Sequence, residues 1–228
     1  MTARIGALTR YHLELLLRSH AWLPPFLAYA LLLVVGVAAG DPLLGGLGFG
    51  AGVLLPVSAW YVRSVLSAEP PASRACLVAA AGPVRVHLGA LLAALTVSLV
   101  LAAGQVAAVW FTSGPVTDPG ARQEPGAGAA VAAGLAASVV SALLGVLAGA
   151  LANRPVLLRP QYGIPTALGL ATLLLVVPVS PANTAVRGLV AAARTGRIEV
   201  PWASLSAAVV LLAAVGAGVA ALAGRRPE

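Results

Sequence analysis

Three histidines, seven carboxylates, fourteen arginines and one cysteine are all that this chain offers for acid–base, metal or nucleophilic chemistry, and it has no lysine. His12, His20 and His87 stand apart from one another, outside the middle of every long apolar run. Their spacing builds no zinc-ligand set and no acid–base pair, and the expected place for each is an interface with water. Without lysine the phosphate loop GxxxxGK[ST] cannot be written, so ATP hydrolysis would have to come from a partner chain. No catalytic, cofactor-binding or metal-binding residue is expected. Cys76 rules out an internal disulfide and reads as a small buried thiol.

Chemistry of another kind is concentrated in the polar stretch 63–85, RSVLSAEPPASRACLVAAAGPVR. Glu69 precedes Pro70 and Pro71, which can open a helix, and Ser73 through Ala81 suits two helical turns ended by Gly82–Pro83. A solvated connection has no physical need for Ala75, Cys76, Leu77 and Val78, whereas a docking surface for another protein does. Glu69, Arg74, Ala75, Leu77 and Val78 are therefore the expected contact residues. Within the apolar runs the polar content is thin: Ser98, Gln105, Ser138, Ser141, Thr166 and Thr172. Interhelical hydrogen bonding is their ordinary use. Gln105 has a second reading, as a polar contact along a translocation path.

The elements that carry these residues are set by composition. Apolar residues make up 60% of the 228 positions and charged ones 9%, against about 25% charged in a soluble domain. Such a chain cannot clothe itself in a water-compatible surface. Its apolar runs are long enough to cross a hydrocarbon core about 30 Å thick. They predict an all-α integral membrane protein in one domain with six spans, near 22–39, 43–62, 86–111, 127–152, 161–179 and 203–223. Asn153 to Pro160 reads as a short basic turn. No secretory signal is expected, because the first apolar run begins only at Trp22 and has the length of a true span.

Three pieces do not cross. In residues 4–20, Arg10, Glu14 and Arg18 share one stripe, with Ile5, Leu8, Leu15 and Leu16 opposite. That pattern suits a helix lying at headgroup level. The stretch 63–85 connects the second and third spans. The stretch 180–202 reads as an amphipathic or re-entrant segment, with Pro201–Trp202 anchoring the last span. Small residues recur at four-residue spacing, as Gly36/Gly40, Gly46/Gly50, Gly48/Gly52 and Gly145/Gly149, and let helix backbones approach closely.

Arginines orient the whole. With the N-terminus inside, ten lie on the cytoplasmic side (residues 4, 10, 18, 63, 74, 85, 154, 159, 225 and 226) and four outside (122, 187, 194 and 197). The positive-inside rule favours N-in, C-in. It also accounts for the net charge of +7 without nucleic acid. No charge falls mid-bilayer, which disfavours an ion-coupled carrier. The composition, rich in Ala and Gly with Arg as its only strong base, fits a GC-rich bacterial genome, and a bacterial cytoplasmic membrane is the expected location.

An N-terminal elbow helix, six spans, a cytoplasmic helix between spans two and three and an outer amphipathic element between spans five and six together resemble the permease subunit of ABC exporters of drug- and polysaccharide-export type. Glu69…Arg74…Gly82–Pro83…Arg85…Leu88–Gly89 is similar to that family's acidic coupling segment. The resemblance implies a dimeric membrane domain, formed with a second copy or a similar permease, a separate ATP-binding cassette ATPase that carries the ATP, and 63–85 as its contact. An alternative function is a non-transporting membrane assembly, immunity or anchor protein.

Overall fold

The computed structural model describes residues 2–154, 156–157 and 160–225, and is helical without strands among them. Among the described residues the α-helices are α1 (Thr2–Arg18), α2 (Leu23–Gly36), α3 (Leu43–Ala68), α4 (Pro71–Ala81), α5 (Pro83–Thr112), α6 (Ala127–Leu151), α7 (Gly163–Val176), α8 (Pro181–Thr195) and α9 (Trp202–Arg225), with a 3-10 turn at Pro160–Tyr162. Arg159 and Arg226, counted above toward orientation, lie outside the described residues.

Four helices, α3, α5, α6 and α9, are each long and apolar enough to cross a membrane, and up to six spans result if each of two bent pairs makes one. The pairs are α1 with α2, bent by 75°, and α7 with α8, bent by 52°. The chain is a multi-pass helical membrane protein. Its surface agrees: Val34 is 77% exposed, Phe111 84% and Val179 91%, and so apolar a surface calls for hydrocarbon around it. At 1.5 Å per residue, α2 and α7, with 14 residues each, reach only about 21 Å. Both stop well short of the ends of the 22–39 and 161–179 runs.

Helices α3 and α6 form the centre. They approach so closely because α6 turns glycines toward α3. A Cβ at Gly149 would lie 2.7 Å from Val62 Cβ and 2.8 Å from the Ala59 carbonyl oxygen, and one at Gly145 would run into the Leu55 carbonyl. Without a hydrophobic drive between helices in lipid, this backbone proximity is where dispersion energy is gained. The two glycine rows of α3 serve different neighbours. Gly46 and Gly50 receive Val109 and Gln105 of α5, while Gly48 and Gly52 lie under Leu189 and Val186 of α8.

Around this pair, α2 leans on α3 through Tyr29, whose hydroxyl donates to the Gly50 carbonyl at 3.1 Å. Tyr61 of α3 donates to the Trp22 carbonyl at 3.0 Å, which ties the α1–α2 corner down. Helix α9 packs on α5, α6 and α8 with few buried residues, among them Ser204 and Ala208. On the side where α3 begins, residues 38–43 and 112–116 are laced by backbone hydrogen bonds, including Gly40 to Thr112 and Leu43 to Pro115, both 2.9 Å. Helix α8 sits beneath this lacing, held by Asp118 N–H to the Ala193 carbonyl at 2.9 Å. It is capped at one end by the Ser180 side chain and at the other by Gly196 at φ +74, a left-handed position suited to glycine. Leu189, Ala192 and Ala193 face inward, while Arg187 and Arg194 are exposed, as its amphipathic spacing requires.

Candidate functional site

The connection 63–85 is mostly helix. Helix α3 runs on to Ala68, two turns past the predicted end at 62, because Ser64 and Val65 still pack inside the protein. Glu69 then takes ψ 120, the extended conformation that a following proline imposes. Pro71 opens α4 at a position where no amide partner is lost. The helix begins there, two residues before the predicted Ser73, and closes at Ala81. Gly82 at φ +85 and ψ 149, a region that side chains rarely enter, turns the chain straight into Pro83 and α5. Arg85 Nη1 donates to the Ala81 carbonyl at 3.1 Å, satisfying one of the acceptors left open at the α4 C-terminus.

The expected contact residues divide into two groups. Glu69 and Arg74 turn inward and form an ion pair with Nη1 to Oε2 at 3.7 Å, their side chains 1% and 21% exposed. Ala75 is exposed, and Leu77 and Val78 are half-buried; no residue of α4 is fully buried. Cys76 is exposed, which corrects the expectation of a buried thiol: α4 has nothing packed over its outer side. Helix α4 thus presents Ala72, Ala75, Cys76, Ala79 and Ala80 outward, held at its base by the pair of buried Glu69 with half-buried Arg74.

His12 and His87 were expected near water and are instead buried, at 1% and 0% exposure. His12 lies four residues after Leu8 and four before Leu16, so the stripe Leu8–His12–Leu16 is the face that α1 lays on the protein. That spacing was readable, and the imidazole obscured it by looking polar. The close approach is at Gly89 of α5, where a Cβ would lie 2.8 Å from Leu8 Cβ. One turn along, His12 lies beside the Val86 backbone, and the Arg74 charge acts on it. Burial is the main cause holding the His12 pKa below its ordinary value; the neighbouring Val86 backbone opposes the lowering, and the Arg74 charge adds to it. His87 follows Val86 in α5. The corner therefore joins α1, the α3–α4 turn, α4 and α5 through His12, Glu69, Arg74 and the first turns of α5. Among the described residues no group of three or more His, Cys, Asp or Glu could hold a metal ion.

Gln105 belongs to a separate place. It is 2% exposed and accepts a hydrogen bond from Ser138 Oγ at 3.0 Å, while Ser138 also donates to the Gly134 carbonyl at 2.8 Å. Its amide presses on Gly50, where a Cβ would lie 2.7 Å from Cδ. The structure thus puts Gln105 where α3, α5 and α6 meet, locking one helix to another inside the bundle. No protein-family model, curated protein or solved structure matches the chain.

Proposed function

We propose that this chain is the membrane-spanning permease subunit of an ATP-driven exporter, that two such subunits enclose the translocation path, and that a separate ATPase docks on α4 and the face of α1. In this reading the chain has six spans, both ends inside, α1 as an elbow at headgroup level, and sits in a bacterial cytoplasmic membrane. The observation that carries it is α4: eleven residues with none fully buried, outward-facing alanines and a cysteine, and a root fixed by the Glu69–Arg74 pair. A helix so weakly covered and so firmly anchored is suited to receive a push from a partner and pass it on. Motion of α4 would reach α1 through Arg74 and His12, and α3 and α5 through their direct continuity with it.

The test uses Cys76, the single cysteine. A heterobifunctional crosslinker on Cys76 in native membranes is expected to capture a nucleotide-binding protein, and replacing Glu69 and Arg74 with Gln is expected to abolish ATP-dependent export while the protein still reaches the membrane. Failure to recover any nucleotide-binding protein, together with unchanged function in the double variant, would favour a non-transporting assembly, immunity or anchor protein.

A further inference from the structure

A shallow surface furrow lies between α3 and α7, lined by Pro56, Trp60, Arg63, Ile164, Ala167 and Leu168. Its lining is apolar apart from Arg63, as a surface meeting a hydrocarbon chain would be. Ala167, 4% exposed, gives the groove its depth by packing near Ala59, Ala148 and Ala152. Ile164 and Leu168, 41% and 43% exposed, form a rim open to the surrounding membrane.

One end is charged. Arg63 is half-buried, and its guanidinium lies against Gly163, where a Cβ would collide with Nη1. Among the described residues no carboxylate pairs with it. It also stands at the first residue of α7, so the positive end of that helix adds to its field instead of offsetting it. Trp60, one turn before Arg63 on α3, is the kind of side chain that settles at headgroup level. An apolar trough ending in an uncompensated guanidinium beside an indole has the layout of an amphiphile with a negative head.

We infer that the α3–α7 groove is a binding site for an anionic phospholipid, one acyl chain lying along Pro56, Ala167 and Leu168 and the headgroup phosphate on Arg63. Basic recesses between transmembrane helices hold anionic headgroups by the same physics, and a guanidinium suits a phosphate because its donors form a planar fork. The site does not depend on the exporter reading; it needs only that the chain spans a membrane.

The experiment takes the full chain with Trp22, Trp110 and Trp202 replaced by Phe, leaving Trp60 to report. In vesicles mixing brominated phosphatidylglycerol or brominated phosphatidylcholine with ordinary lipid, quenching of Trp60 is expected to give the anionic lipid a preference of about fivefold. Arg63→Gln should bring that preference to about one, Arg63→Lys should keep most of it, and Arg10→Gln should leave it unchanged. Circular dichroism of each variant checks that the helices remain. Equal quenching by the two lipids, or a preference that survives Arg63→Gln, overturns the site. So does an equal loss in Arg10→Gln, which would mean general charge attraction. Loss of the preference on adding 10 mM (about a hundredfold excess) inorganic phosphate would assign the anion to free phosphate and overturn the lipid.

Discussion

At the scale of single residues, the polar side chains of this protein are placed to hold helices together. His12 shows how much one burial changes. Its neutral form is the one the corner accepts, because burial and the Arg74 charge both disfavour imidazolium. With the folded pKa below the unfolded value of about 6.5, the unfolded chain binds the extra proton first. Stability from this group is complete above that value and lost as pH falls through the lower, folded pKa. Hydrogen exchange of α1 amides should therefore accelerate on moving from pH 7 toward pH 5, after correction for intrinsic rates. In His12→Gln, which has no proton to gain, that excess acceleration should vanish. The Gln105–Ser138 bond makes a second case. Ser138→Ala should cost roughly 0.6 kcal/mol and no more than about 2, read as a small fall in melting temperature in detergent.

At the scale of elements, the glycines say which helix each face was made for. Gly50 and Gly52 are two residues apart on one helix, yet they confront different neighbours: a Cβ at Gly50 would overlap the Gln105 amide, and one at Gly52 finds only Val186 Cγ1 at 3.9 Å. Gly50→Ala should destabilise by about 1–3 kcal/mol through overpacking. Gly52→Ala should be neutral or stabilising by up to about 1 kcal/mol, since helix propensity then acts unopposed. Thermal unfolding in detergent separates the two. The spacing in the sequence marked both pairs, Gly46/Gly50 and Gly48/Gly52, without telling them apart, because identical spacing on one helix serves two neighbours and only packing assigns them. Helix α4 was legible from Ser73 to Ala81, with its proline opening and Gly82 stop, for the opposite reason: prolines and a positive-φ glycine act locally, through their own dihedral angles. The inward turn of Glu69 and Arg74 was not legible, because it depends on where α1 and α5 close over them.

At the scale of the whole molecule, the balance is between a core joined by small residues and a surface left apolar for lipid. The proposed orientation makes a direct prediction, since exposed Cys76 is a native reporter. A membrane-impermeant maleimide should leave it unlabelled in intact cells and label it once the membrane is permeabilised. Labelling in intact cells would put α4 outside and reverse the topology. Gly89→Leu, which drives a side chain into Leu8, should free α1 and weaken ATPase capture through Cys76 while the remaining helices stay folded. That outcome would separate the role of the elbow from that of α4.

By itself the sequence determined the class of this protein, because apolar runs long enough to cross hydrocarbon satisfy their backbones as helices and 9% charge leaves no other solvent for them. It also determined the helix breaks at Pro70–Pro71 and Gly82–Pro83, where local dihedral preferences decide the outcome. Only the tertiary structure decided that α2 and α7 are short helices bent against α1 and α8, that two histidines are buried, that Glu69 meets Arg74, and that Arg63 closes one end of a groove. Each of these depends on how backbone segments are placed in space, and for the buried histidines and the Arg63 furrow those segments are far apart in the chain; hydropathy sums residues along the chain and carries no account of which backbone lies within reach.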